Sequence, residues 1–321
     1  MEELSRLGRK YKTIGDILWT LSIIKSQLYS VLPNELFAKI TYWEQRREKL
    51  NIKEPRTFNE KLWWLRFHYR NPLMKNCSDK YAVREYLRSL GHGYDQLLLP
   101  LVAAYKRVED INLSDFDQEV IFKLNVGSGA NMIFDPSKTF DEEYFRNFFR
   151  RRIKHDYSLD NREWNFHGVQ PMILVEKVLR DASGNLPVDY KFMCFDGKPT
   201  YVYYSEGVMD LKGRHNVAGT RFTNVYDMDW RLTDIEASYP RRPDINVNKP
   251  ANFDEMITIA RELSKPFPHV RIDLYDIDGH IYLGEFTFFH SGGCGNVSPI
   301  TKAIEMGDLI RIEDISAEFL I

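Results

Sequence analysis

The hydrophobic pattern changes period once along the chain. Up to about residue 70, apolar residues recur at helical spacing: Leu18, Leu21, Ile24, Leu28 and Leu32 share a helix, and a second helix is predicted after Pro33. Thr57 followed by Glu60 has the form of a capping box, with Leu62, Trp63, Leu65 and Phe67 behind it. Ser78-Asp79 predicts the cap of a further helix, from Lys80 to about Leu90, stopped by Gly91. From Leu97 onward short β-rich runs alternate with helices. Strands are predicted over 120–124, 172–178, 189–195, 199–204, 270–276 and 280–286, and helices over 140–155 and 253–263. Asp196-Gly197 and Asp278-Gly279 carry hairpin-turn chemistry. Residues 208–250, rich in Arg, Asn, Asp and Pro, read as a long loop region with little regular structure, which in a compact enzyme is usually functional.

Composition narrows the function classes. The chain has 321 residues, 43% hydrophobic and 28% charged, which is an ordinary globular balance. Its net charge of −2, from 44 basic and 46 acidic residues, argues against a nucleic-acid partner, whose electrostatic footprint is strongly basic. Cys77, Cys194 and Cys294 lie far apart with no paired spacing, so neither a disulfide framework nor a zinc site is expected, and a reducing cytoplasm fits. The longest apolar stretch, 14–32, is broken by Asp16 and Lys25 and is short for a bilayer span. It reads as a buried or partner-facing amphipathic helix, with contact to a membrane surface as the other reading.

Three stretches carry candidate chemistry. In the first, an apolar strand delivers Lys123 and is followed by Gly127-Ser128-Gly129: an ammonium for a phosphate, and backbone N–H groups to close over phosphate oxygens. Taken alone it is also ordinary turn sequence, and it is neither a Walker A motif nor a dinucleotide fingerprint. The second is Glu176-Lys177-Val178, ending another apolar run. It reads as a plain strand terminus or as a hinge whose backbone groups and acid hold an adenine edge. The third is a hairpin in which Arg271 and Asp273 share one strand face and Glu285 and Thr287 share a face of its partner. If those faces coincide, two carboxylates, an arginine and a hydroxyl converge, which is the usual basis of a magnesium cage with phosphate oxygens. Ile272, Leu274, Leu283 and Phe286 are expected on the opposite, apolar face.

In this order the three signals resemble the ATP-grasp superfamily. More closely, the chain resembles its TupA-like branch, named for teichuronopeptide biosynthesis. The stretches that carry the likeness are Pro55-Arg56-Thr57-Phe58-Asn59-Glu60-Lys61-Leu62, Ser78-Asp79-Lys80-Tyr81-Ala82-Val83-Arg84, the block from Lys123 to Asn131, and Gly284-Glu285-Phe286-Thr287-Phe288. The resemblance implies an α+β ATP-grasp fold, two lobes clamping ATP behind a helical N-terminal segment. The expected divisions are residues 1–75 for that segment, 76–170 for the lobe with Lys123 and the glycine loop, and 171–321 for the lobe with hinge and metal strands. It implies that Lys80 and Lys123 bind ATP phosphates and that Gly127, Ser128 and Gly129 close over them. Glu176, Lys177 and the Val178 backbone would hold adenine, and Asp189 the ribose hydroxyls. Asp273 and Glu285 would hold Mg²⁺, and Arg271 would steady the transferred phosphoryl group. Thr287 stands where the superfamily usually has Asn, so its part as a metal ligand is the weakest.

The activity implied is an ATP-dependent amide-forming ligase, working through an acyl phosphate. It would join an amine or amino acid to a uronic acid of a cell-surface polysaccharide precursor in the cytoplasm or at the inner face of the membrane, peripheral to membrane polysaccharide machinery. Arg214 and Arg221 are the first candidates to hold a substrate carboxylate or diphosphate, and Tyr226 or Trp230 to stack on a sugar ring. His290 to Gly293 follow the metal strand, where related ligases contact the acceptor. The rival readings are a glycosyltransferase, for which Asp227-Met228-Asp229 and Asp276-Ile277-Asp278 supply the Asp-x-Asp triplet, and an ATP-grasp sugar kinase. A non-catalytic ATP-binding module is a third, against which Asp273 and Glu285 argue, and a thiol enzyme built on Cys294 is a fourth.

Overall fold

The computed structural model describes residues 12–206 and 221–321. A helical region opens it: α1 (Lys12–Ser30), α2 (Asn34–Arg46), α3 (Phe58–His68), α4 (Leu73–Ser78) and α5 (Val83–Leu90). The Thr57 hydroxyl accepts from the Glu60 N–H and the Glu60 carboxylate accepts from the Thr57 N–H, so the capping box closes in both directions. Ser78 belongs to the last turn of α4 rather than capping α5. Asp79 alone turns the chain, its carboxylate accepting from the N–H groups of Tyr81 and Ala82.

Two antiparallel sheets follow. The smaller has the order β1-β4-β2-β3, from β1 (Leu101–Tyr105), β2 (Val120–Leu124), β3 (Asn131–Phe134) and β4 (Ile173–Lys177), with α6 (Glu142–Arg152) between β3 and β4. Phe116, Phe122, Phe134, Phe145 and Phe149 fill its core. The larger has the order β7-β6-β5-β8-β9, from β5 (Asp189–Phe195), β6 (Lys198–Glu206), β7 (Phe222–Asp227), β8 (His269–Ile277) and β9 (His280–Thr287). Helices α7 (Phe253–Ser264) and α8 (Ile300–Asp308) pack with it. Its core is extended by Phe58, Leu62 and Leu65 of α3, so residues 58–75 fold with the C-terminal lobe and not as part of a separate N-terminal segment.

Two expectations change here. The strand Ile173–Lys177 lies beyond the expected boundary at 170/171 yet pairs with β1 and β2 in the smaller sheet. The region read as loop contains β7, which completes the edge of the larger sheet by pairing with β6. Strand β9 keeps Leu283 and Phe286 on the apolar face, as expected, but by means of a bulge. By simple alternation Leu283 and Glu285 share a face, but Leu274 pairs with Leu283 and Asp273 with Glu285, leaving Gly284 as the extra residue of a bulge. The bulge reverses the parity of the strand. Leu283 stays in the core and Glu285 turns to the opposite face.

Candidate active site

The face of the larger sheet away from α7 carries polar rows across the strands. Tyr203, Lys191, Asp273 and Glu285 occupy successive register positions on β6, β5, β8 and β9. The next row is Ser205, Asp189 and Tyr275. Asp273 is buried and accepts from Arg271 Nε and Nη2, both at 2.6 Å. Lys191 Nζ lies 3.3 Å from Asp273 and 2.7 Å from Asp189. Arg271 also donates to Glu285 at 2.9 Å, and the Thr287 hydroxyl donates to the same carboxylate at 3.1 Å. The two faces that the sequence leaves separate therefore coincide.

The smaller lobe brings the other cations. Lys123 on β2 and Glu176 on β4 form a buried pair at 2.5 Å, with Arg84 4.0 Å from the same acid. Lys80, between α4 and α5, donates to the Gly127 carbonyl at 3.0 Å and lies 3.6 Å from Glu285, so it bridges the glycine loop to the acids of the larger sheet. Gly127 and Gly129 adopt φ of +69° and +76°, and a Cβ at Gly127 would lie 2.6 Å from the Tyr157 ring. Only glycine fits that turn without displacement. Lys80, Lys123, Gly127, Gly129, Tyr157 and Glu176 line one cleft of about 920 Å³, together with Lys177, Val178, Asp189, Arg271, Asp273, Glu285 and Thr287.

The electrostatics follow from this crowding. Burial alone would push the Glu285 carboxyl up, but Lys80, Arg271 and Lys191 together pull it down to about 2. Asp189 beside it, with burial and Asp273, holds the Tyr275 hydroxyl protonated, well above its ordinary range. Burial and the neighbouring Arg271 push the His290 imidazole well below its usual value. Arg271 Nη1 sits 2.8 Å from His290 Nδ1. Because a guanidinium only donates, Nδ1 is the acceptor and the ring proton is assigned to Nε2.

Several expected roles meet a different arrangement. The Glu176 carboxylate is the counter-ion of Lys123, not a free acceptor for an amino group, and the Val178 N–H is donated to the Glu119 carbonyl at 3.4 Å. Tyr226 and Trp230 stack on each other with centroids 4.4 Å apart and planes 4° from parallel, and the indole N–H donates to the Val247 carbonyl. Tyr226 is buried, Trp230 packs partly buried against the core, and neither lines the cleft. Arg221 stacks over Tyr239, a residue that lines the cleft, whereas Arg214 lies outside the described residues. Neither Asp-x-Asp triplet lines the cleft: Asp227 and Asp276 accept from turn N–H groups of Arg231 and Gly279. Cys294 is buried, and burial raises its thiol. Lys191, Tyr275 and Glu163 are cleft residues that pattern reading missed. For Lys191 the signal existed: it alternates with Asp189 on one strand face.

The donor set suits magnesium. Among the described residues no three His, Cys, Asp or Glu side chains form a cage. Mg²⁺, however, takes one or two carboxylates and completes its shell with phosphate oxygens and water. Asp273 and Glu285, paired across β8 and β9 beside the Thr287 hydroxyl, offer hard oxygens of that kind.

A family model described as TupA-like ATPgrasp matches residues 60–311, well over half of the chain. Among solved structures, D-alanine–D-alanine ligase from Bacillus anthracis is similar over 74% of this chain and 68% of its own, at 15% identity and a TM-score of 0.41. D-cycloserine synthetase DcsG is similar over 74% and 70%, at 14% identity and a TM-score of 0.39. The ATP-grasp ligase PsnB, complexed with a minimal precursor, is similar over 75% and 62%, at 12% identity and a TM-score of 0.38. No curated protein matches.

Proposed function

Since the chain belongs to the TupA-like ATP-grasp family, a family of ATP-dependent ligases, we propose that it activates a carboxylate as an acyl phosphate and joins it to an amine. The observation that carries the reading is the single cleft in which Lys80, Lys123 and the glycine loop face Asp273, Glu285 and Arg271. A carboxylate acylates poorly, so ATP transfers its γ-phosphoryl group to it; the amine then displaces phosphate and leaves an amide. The transfer asks the protein for in-line positioning and cancellation of charge.

In this proposal Lys80 and Lys123 hold phosphate oxygens, and Lys123 leaves Glu176 to do so. Gly127, Ser128 and Gly129 close over the phosphates and exclude water, which would hydrolyse an acyl phosphate. Lys177, together with the strand end around Val178, borders the adenine, and Asp189 faces the ribose. Asp273 and Glu285 would hold Mg²⁺, which when bound neutralises phosphate charge. Arg271, kept in place by Asp273 and His290, steadies the phosphoryl group. The cleft reaches past these residues to Trp19, Gln45, Tyr239 and Ser291, which leaves room for two further substrates. We assign these, on the strength of the family, to a uronic acid of a surface-polysaccharide precursor and an amino acid or other amine, with Arg221 at the rim for the anionic partner.

The test is ADP release by the purified full chain with paired uronic acids and amines. Release that needs both substrates and is stopped by chelation of divalent ions supports the ligase. ADP formed with the sugar alone would make the protein a kinase, and a melting temperature unmoved by ATP with Mg²⁺ would remove the ATP site itself.

A further inference from the structure

Helix α1 is apolar on two sides, and the structure accounts for one. Inward, Trp19 and Ser22 line the cleft, Ser26 donates to Asp160 at 3.2 Å, and Tyr29 packs against the cluster of Phe37 and Trp63. Outward, Ile17, Leu21, Ile24, Leu28 and the following Val31 are 54%, 55%, 48%, 67% and 84% exposed. They recur at alternate spacings of four and three residues, so they form one stripe along the helix. Helix α2 adds exposed Leu36 and Trp43. A continuous apolar row on a surface helix marks a face that another surface covers, because single exposed apolar residues do not account for it.

Charge decides between the two covers available, a second copy of the chain and a lipid surface. Residues 1–57 hold eleven basic and seven acidic side chains, net +4, on a chain whose total is −2. A second copy would bring +4 against +4. The stripe also spans about two heptads, short of the three to four that sustain a coiled coil. An anionic bilayer matches both features: apolar side chains enter the headgroup boundary and basic ones meet lipid phosphates. No helix among the described residues is long and apolar enough to cross a membrane, so α1 lies on the surface.

We propose that α1, with Leu36 and Trp43 of α2, docks the protein on an anionic lipid bilayer. The opposite side of α1 borders the cleft, so docking sets the mouth of the site beside the lipid surface.

Vesicle flotation of the full chain tests it, with phosphatidylcholine alone and with phosphatidylglycerol added. Binding should rise about ten-fold with phosphatidylglycerol and fall back at high salt. The variant Ile17→Ser/Leu21→Ser/Ile24→Ser/Leu28→Ser should lose about ten-fold in binding while keeping its circular dichroism spectrum. Should that variant not fold, Leu28→Trp gives a second readout: its emission shifts to the blue on adding phosphatidylglycerol vesicles. No flotation with anionic vesicles, equal binding to both kinds, or a concentration-dependent dimer in sedimentation velocity that the serine substitutions abolish would overturn the proposal.

Discussion

The two sheets present charge to the same cleft in opposite ways. The larger holds its acids in a closed network, with Arg271 bound to Asp273, Glu285 and His290, and Lys191 bound to Asp189 and Asp273. Each charge has more than one partner, and α3, α7 and α8 pack into a continuous core on that sheet. The smaller sheet has its own phenylalanine core, separate from that one. Its main cation, Lys123, rests on the single acid Glu176, and its loop turns on two glycines of positive φ. One region is a platform whose geometry is over-determined; the other is a clamp with few restraints. Pre-organised charge belongs where charge develops, and adjustable groups belong where a ligand must enter.

Substitutions on the two sides should separate these roles. The largest loss is expected from Asp273→Asn, which weakens the hold on Arg271 and removes a carboxylate oxygen from the proposed magnesium site: ADP release should fall by about 10²–10³-fold, with circular dichroism unchanged. On the clamp, Lys123→Met should lower ATP turnover by about 10²-fold and cost about 3 kcal/mol in urea denaturation, because the buried Glu176 loses its close partner and keeps only Arg84 at 4.0 Å. Adding Glu176→Gln should restore the stability and not the turnover. If the single variant denatures like the parent, the pair is not a restraint.

The platform's core carries a pH signature of its own. Burial holds His269 down to about 3 despite its bond to the Cys194 carbonyl. The unfolded ring takes its proton near its ordinary value and the folded ring does not. Stability is therefore full above about pH 6.5 and falls below it, by up to ~1.4 kcal/mol per pH unit until about pH 3. His269→Gln should flatten that slope in urea midpoints measured between pH 7 and 5. Back in the clamp, Gly127→Ala forces a side chain into a left-handed turn and against Tyr157, so KM for ATP should rise about five- to ten-fold while the melting temperature stays nearly constant. The smallest effect is expected at Arg66. This guanidinium is wholly buried, stacks on Trp63 and Phe289, and has three nitrogens without a hydrogen-bond partner among the described residues. Arg66→Met should leave stability within about 1 kcal/mol of the parent or raise it.

What could be read from the sequence was whatever is local. The spans of β2 and β5, the Thr57 capping box and the two Asp-Gly hairpin turns rest on neighbouring residues, and the structure has them where expected. The family and the ATP-grasp fold were legible because their motifs stand in order along the chain. What could not be read depends on partners distant in sequence. The place of β4 in the smaller sheet comes from pairing with β1 and β2, and Glu176 becomes a counter-ion only because that pairing brings Lys123 beside it. Strand β7 was hidden in a polar stretch whose inward residues are stabilised by β6. Tyr226 and Trp230 look like surface aromatics in sequence and find each other only in the fold.

Gly284 shows how little separates this site from its absence. It has no side chain in the chemistry, and a Cβ there would already press within 3.0 Å of the Tyr275 ring. Yet it is the residue by which one strand serves two masters, an oily interior and a charged opening. A loss of that single codon would keep every neighbouring letter of the message while rotating the acid at 285 toward the oil. Descendants of this protein could thus retain the whole outline of the enzyme, acid included, and be chemically silent, and an inventory of residue types would not distinguish them from working copies.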